Sequence, residues 1–220
     1  MTRMDDAAVA LEFTAHSPDT LPGPLHTLEQ NGYAILPDFL PQAVTAALLA
    51  ECQDLYNRGK THIAGIGRGN HHQVLPAVRN DQMLWLDGAH LSATQTIYWQ
   101  AMEDLRQRLN RTYFLGLVDY ECHYAQYPAG GYYKRHRDVF QGTNRRRISS
   151  VFYMNVGWTP ADGGQLRLFI PQGPGHATVD ILPAAGTLVM FDSQMEHEVL
   201  PTQAVRHSLA GWLRCLKPLF

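Results

Sequence analysis

No stretch of the 220 residues approaches the ~18 consecutive apolar residues that a membrane-crossing helix needs. The N-terminus carries Asp5, Asp6 and Glu12 where an export signal would carry basic residues and then an unbroken apolar run. A cytoplasmic protein with no membrane contact is therefore expected. Cysteine is scarce: Cys52, Cys122 and Cys215 stand far apart without a C-x-x-C pair, which excludes a disulfide framework and a thiolate metal site and fits a reducing compartment. Charge of one sign is lacking too. Lys+Arg 18 against Asp+Glu 20 gives a net charge of −2, which argues against a basic nucleic-acid binder. Internal repeats and low-complexity tracts are absent.

The chain does contain the makings of a sizeable core, with 45% hydrophobic and 17% charged residues. Residues 1–22 show no periodicity and run into Pro18, Pro22, Gly23 and Pro24, which marks an N-terminal arm. Residues 23–220 form one domain. Its first half, 23–112, reads as supporting helices. A short helix over Leu25–Gln30 stops at Asn31-Gly32, and Tyr33–Leu36 reads as a strand. Apolar residues at helical spacing from Val44 to Tyr56 follow Pro41 and end at Gly59, and a further helix runs from an N-cap at Ser92 to about Asn110. Residues 60–80, rich in Gly, His and Asn, read as a long exposed loop in which His71 and His72 have no special role. The second half, 113–216, changes texture. Val118–Tyr127, Ile148–Val156, Gln165–Ile170, Ala177–Leu182, Thr187–Phe191 and His207–Cys215 read as strands without intervening helices, which predicts an antiparallel sandwich or barrel.

The chemistry centres on His136-Arg137-Asp138, because residues two apart on a strand share a face and can share a metal ion. With eleven histidines in the chain the pair alone is weak, and a surface His beside a solvated Asp explains it as well. His197, just after the Thr187–Phe191 strand, changes the balance. Two imidazoles and one carboxylate make the facial triad of non-haem Fe(II) oxygenases, which leaves metal positions open for a bidentate cosubstrate and dioxygen. Arg206, nine residues on, offers a planar guanidinium for the distal carboxylate of a 2-oxo acid. Tyr153 lies where its phenol can complete that pocket or serve as an ordinary strand residue.

These residues sit within Tyr127-Pro128, Gly131-Tyr132, His136-x-Asp138, Phe152-Tyr153-Met154-Asn155, Gly163-Gly164-Gln165-Leu166-Arg167-Leu168-Phe169, His197-Glu198-Val199, Arg206 and Trp212. The set resembles the 2-oxoglutarate and Fe(II)-dependent prolyl 4-hydroxylases, in the EGL-nine branch that includes the hypoxia-inducible-factor hydroxylases and bacterial counterparts. The likeness extends upstream through Val78-Arg79-Asn80-Asp81 and Trp85 and covers roughly residues 25–215. It implies an all-β core folded as a double-stranded β-helix, jelly-roll or cupin-like, with N-terminal helices packed on one sheet. It implies His136, Asp138 and His197 as iron ligands, Arg206 and Tyr153 on the distal carboxylate of 2-oxoglutarate, and Tyr127 and Trp212 lining the pocket. It further implies Arg79, Asp81 and Arg146 at the substrate rim, with Arg146 paired to Asp81.

The implied activity is hydroxylation of a prolyl residue at C4, consuming 2-oxoglutarate and O2, releasing succinate and CO2, and drawing on ascorbate as reductant. The implied partner is an intracellular protein with an exposed prolyl loop, of the translation-elongation-factor type for bacterial members. Six basic residues between Lys134 and Arg147 either steer an acidic protein surface or belong to a solvated loop. Ala210 departs from relatives that carry a hydroxyl there. Three alternatives stay open at this point: a hydroxylase of free proline or another small molecule, a non-catalytic metal- and 2-oxoglutarate-binding sensor, and a zinc hydrolase, which would leave Arg206 without a role.

Overall fold

The computed structural model describes residues 24–65, 75, 77–139 and 145–216. The expected N-terminal arm, Gly67 and Gly69 of the glycine-rich loop, and His71-His72 lie outside them. The described part of the chain runs α1 (Pro24–Asn31), β1 (Tyr33–Leu36), α2 (Gln42–Asn57), β2 (His62–Ile63), β3 (Gln82–Trp85) and α3 (Ala93–Tyr113). It continues with β4 (Leu117–Tyr127), β5 (Tyr133–His136), β6 (Arg146–Tyr153), β7 (Leu166–Gln172), β8 (Gly175–Ile181), β9 (Leu188–Asp192), β10 (His197–Val199) and β11 (Arg206–Cys215).

Every sheet pairing is antiparallel. The large sheet is ordered β1-β9-β6-β11-β4-β3-β2, and the small one β5-β10-β7-β8. This is the double-stranded β-helix that the resemblance implied. Alternation along the strands assigns the two faces of the large sheet. Tyr120, Cys122 and Tyr124 of β4, Phe152 of β6, Met190 of β9 and Leu209 and Leu213 of β11 point to one side, where Leu48 and Cys52 of α2 and Tyr98, Met102, Leu105 and Leu109 of α3 pack on them. The opposite parity points to the small sheet, where Tyr153, Val189 and Phe191 meet Leu166, Leu168 and Ile181. The functional cavity lies on this second face.

Two local features hold the helical layer against the large sheet. Ser92 caps α3 by accepting from the Gln95 N–H at 3.1 Å, the Gln95 side chain returns to the Ser92 N–H, and the Ser92 hydroxyl donates to Glu51 of α2 at 2.6 Å. Gly211, mid-strand in β11, sits so close to β4 that a Cβ there would lie 2.5 Å from the Tyr120 hydroxyl and 2.6 Å from Cys122 Cβ. Only glycine leaves room for the Tyr120 side chain to lie over β11 at this point.

Several expectations about local structure need correction. The loop expected over 60–80 contributes β2, which pairs with the unanticipated β3 at the sheet edge. The strand expected over Ile148–Val156 begins two residues earlier and ends at Tyr153. His136 ends β5, so Asp138 does not share a strand with it and stands in the bend beyond.

Candidate active site

The register of the strands explains how scattered residues converge. On the inner face of the large sheet, Arg206 stands opposite Tyr127, Ser208 opposite Ala125 and Tyr153, Ala210 opposite His123 and Val151, and Trp212 opposite Glu121 and Ser149. In the small sheet His197 stands opposite His136. These rows enclose a cavity of about 460 Å³ lined by His136, Asp138, His197, Arg206, Tyr127 and Trp212, together with His123, Trp85, Arg79 and Arg146.

Ligating atoms of His136, Asp138 and His197 all lie within 4.8 Å of one another. His136 Nε2 is 3.7 Å from Asp138 Oδ1, and His197 Nε2 is 3.6 Å from Asp138 Oδ2. Each imidazole turns its Nδ1 to a carbonyl two residues back, His136 to Lys134 at 2.7 Å and His197 to Met195 at 3.0 Å. A carbonyl only accepts, so both Nδ1 atoms carry the hydrogen and both Nε2 lone pairs face the shared point. Asp138 reaches that point from a bend because its N–H donates to Ser193 O at 3.1 Å and its carboxylate accepts from Ser149 Oγ at 2.6 Å. Ser149 is bonded in turn to Ser193 at 3.0 Å. The bend thus places the carboxylate as a shared strand would have done.

Protonation matches the geometry. Burial, followed by the neighbouring His197, pushes His136 down to about 3. Burial opposes ionisation of Asp138, but His197, His136 and the Ser149 hydroxyl outweigh it and hold the carboxyl at about 2. A neutral imidazole and an ionised carboxylate are the forms that bind a divalent cation.

Arg206 supplies a second feature. It is 1% exposed, yet among the described residues no carboxylate reaches it. Its Nε donates to Gly164 O at 2.9 Å and one terminal nitrogen to Ser208 Oγ at 3.3 Å, which leaves three of five N–H donors without a protein acceptor. The rings of Tyr127 and Tyr153 flank the guanidinium, each centroid 5.1 Å from its carbon. The buried Tyr153 hydroxyl has no partner either. A bare buried cation costs on the order of several kcal/mol, so a guanidinium and a phenol left open side by side suit a bound carboxylate.

The rim differs from expectation. Asp81 does not pair with Arg146: it is fully buried and receives two hydrogen bonds from Arg79, at 2.6 and 2.5 Å. Arg79 then covers the Tyr133 ring at 4.3 Å, and Tyr133 stacks on His136 with centroids 3.6 Å apart. Arg146 instead bonds Glu121 at 3.0 Å and lies 3.4 Å over the ring of Trp212. The indole N–H of Trp212 adjoins the Asp138 carboxylate and favours its charge. Most of the basic run is ion-paired, with Arg135 and Arg137 sharing Glu196, Arg145 on Asp119 and Arg147 on Asp192, and Lys134, Arg135, Arg146 and Arg147 stand on β5 and β6 rather than in a loop.

Four residues of the site were not anticipated: Ser149 and Ser193, which orient Asp138, Gly164, whose carbonyl holds Arg206, and His123. The last shares its strand parity with Tyr127, the one signal that would have found it. Burial, then the charges of Arg79 and Arg146, hold His123 well below its ordinary pKa, so the ring is uncharged.

Residues 122–214 match the model of the 2OG-Fe(II) oxygenase superfamily. The crystal structure of a Pseudomonas putida prolyl-4-hydroxylase is 39% identical and superposes with a TM-score of 0.78, covering 87% of this chain and 97% of that one. A Trichoplax adhaerens prolyl hydroxylase, solved with a peptide fragment of the hypoxia-inducible-factor oxygen degradation domain, is 27% identical with a TM-score of 0.74, covering 87% of each chain. Human prolyl hydroxylase EGLN3 is 27% identical over 222 residues, 96% of this chain and 85% of that protein. The Caenorhabditis elegans hypoxia-inducible factor prolyl hydroxylase is 28% identical, and the chain spans only 27% of its length. The chain belongs to the prolyl hydroxylase branch of the 2OG-Fe(II) oxygenase superfamily, whose members use Fe(II), 2-oxoglutarate and O2.

Proposed function

We propose that the protein hydroxylates a prolyl residue of another protein at C4, with His136, Asp138 and His197 holding Fe(II) and with Arg206 and Tyr153 holding the distal carboxylate of 2-oxoglutarate. The observation that carries this reading is the buried guanidinium of Arg206, without an acidic partner among the described residues, in the same cavity as the triad. A zinc hydrolase would have no use for it. When bound, iron with 2-oxoglutarate and O2 supplies the oxidation that inserts one oxygen atom into a C–H bond and converts 2-oxoglutarate to succinate and CO2, with ascorbate as an accessory reductant.

The chain's own residues set up that chemistry. The carbonyls of Lys134 and Met195 keep both Nε2 lone pairs free for the metal, and Ser149 aims the carboxylate. Arg206 gives the cosubstrate one orientation, because a charge-assisted pair forms only when the diacid lies along the line from guanidinium to triad. Tyr127, Trp212 and Phe191 narrow the space around the triad and exclude bulk water. Arg79, fixed by Asp81, lines the entrance on the β5 side, and Arg146 lines it on the Trp212 side.

The Trichoplax adhaerens relative's complex with a peptide favours a protein substrate over free proline. Residues 23–220 act as one domain on this reading, supported by the single helix-on-sheet core. Three free, buried cysteines support a cytoplasmic, reducing setting. The test is a hydroxylation assay with Fe(II) and 2-oxoglutarate on a panel: the hypoxia-inducible-factor oxygen-degradation-domain peptide, proline-containing loop peptides of a translation elongation factor, and free L-proline. Gain of one oxygen atom on a peptide proline, read by mass spectrometry and matched by succinate, is expected. Turnover of free proline alone, or of nothing in the panel, would overturn the proposal.

A further inference from the structure

Neither the triad nor the arginine pocket uses His123, although the cavity they share opens against it. The residue is 2% exposed, with its ring 4.8 Å from Trp85 and 5.6 Å from Trp212, nearly parallel to the latter. Its Nδ1 has no hydrogen-bond partner among the described residues. A ring packed against two indoles that also touch each other, Trp85 and Trp212 with centroids 5.9 Å apart, could be a phenylalanine, which carries no polar atom to desolvate. An imidazole at this place brings a buried polar atom that the packing does not need.

The partner of that atom is not 2-oxoglutarate. The line from Arg206 to the triad runs along β11 toward Asp138, which is bonded to Ser149 of β6, whereas His123 stands on β4, on the opposite side of β11 and next to Trp85 of β3. The row that contains His123 leads outward instead, through Trp85, which is 42% exposed at the edge of the sheet. What reaches His123 therefore enters from solvent past Trp85, between Arg79 and Arg146. A peptide does so, and a proline nitrogen bears no hydrogen, which leaves carbonyls as the main-chain groups always present around the target residue.

We propose that His123 donates a hydrogen bond from its ring to a substrate carbonyl flanking the target proline and so selects and orients the peptide. This rests on the prolyl hydroxylase reading and deepens it. Ala210, directly across the ladder from His123, keeps the ring nitrogen free, because it has no side-chain oxygen to satisfy it. In this protein the absent hydroxyl at position 210 is therefore part of the recognition device.

The experiment uses the panel peptide that the wild-type protein turns over fastest. His123→Phe keeps a flat ring against the two indoles and removes the donor, and is expected to raise the peptide KM on the order of tenfold while the KM for 2-oxoglutarate and the anaerobic Fe(II) spectrum stay as in wild type. His123→Gln, which keeps an N–H donor, is expected to recover most of the loss. Ala210→Ser, which offers the ring an internal partner, should also raise the peptide KM, and it serves as the test if the Phe variant does not fold. An unchanged peptide KM in His123→Phe, or equal impairment by Phe and Gln, would overturn the inference. Failure of the underlying reading shows earlier and separately, as no peptide turnover by the wild type.

Discussion

Arg206 and Asp138 show two ways in which a single side chain is committed to a ligand. Asp138 is held by a serine and a backbone carbonyl in a bend, with its charge maintained against burial by the two imidazoles. Among the described residues Arg206 is hydrogen-bonded by Gly164 O and Ser208, which position the guanidinium without neutralising it. Arg206→Lys should therefore fail as a conservative change, since a lysine has neither the Nε–H that bonds Gly164 nor a planar fork for a carboxylate. The expected result is a rise in the 2-oxoglutarate KM of roughly 10- to 100-fold, with little change in metal affinity, measured by steady-state kinetics and metal titration. Equal KM values for Lys and Arg at this position would remove the carboxylate role. The triad and Arg206 were legible in the sequence because the family pattern fixes their order and spacing. The partner of Asp81 was not, because the resemblance set Asp81 against Arg146 across the rim, whereas the local backbone turns the guanidinium of Arg79, two residues back, onto the buried carboxylate.

Among the elements, β11 carries the most, with Arg206, Ser208, Ala210 and Trp212 on its inner face and Leu209 and Leu213 against the helices. Its period-2 pattern was readable, which is why Arg206 and Trp212 could be placed on one face in advance. Its close approach to β4 at Gly211 was not, because a glycine in a strand does not say what lies above it. Gly211→Ala should force Tyr120 away from the sheet, disturb the Tyr98–Tyr120 hydroxyl pair (2.7 Å) and cost roughly 1–3 kcal/mol. A thermal midpoint equal to wild type would show that the contact relaxes freely. At the start of α3, Ser92→Ala removes the cap and the Glu51 contact and should cost about 1 kcal/mol in urea unfolding, with unchanged kinetics at saturating substrate. Ser92 was identified as a cap from sequence, while its tie to α2 needed the tertiary arrangement.

Across the whole molecule, buried uncharged histidines couple the site to stability. Burial, then the adjacent Arg206, lowers His207 to about 4, burial holds His136 at about 3, and His123 lies well below its usual value. Each is neutral in the folded chain at pH values where the unfolded chain begins to take up a proton. Folding is thus favoured fully above the unfolded pKa of about 6.5, and stability falls as the pH drops from there toward 4, by up to roughly 1.4 kcal/mol per pH unit for each histidine. Urea midpoints of the metal-free protein at pH 7.5 and 5 should show this decline, and His207→Gln should lessen it. Equal midpoints at the two pH values would contradict the assignment of neutral buried rings. The fold class was readable from helices followed by short strands. The division into two sheets was not, since β5 and β10 are four and three residues long and exist only through each other and β7.

The central claim is that the triad and Arg206 bind one metal ion and one 2-oxo acid together. Anaerobic titration of Fe(II) and then 2-oxoglutarate, followed through the visible charge-transfer absorption of a chelated 2-oxo acid, tests it most directly. The band is expected to form in the wild type, to require far more 2-oxoglutarate in Arg206→Ala, and to be lost in His197→Ala. Iron binding without any such band, or a band indifferent to Arg206, would contradict it.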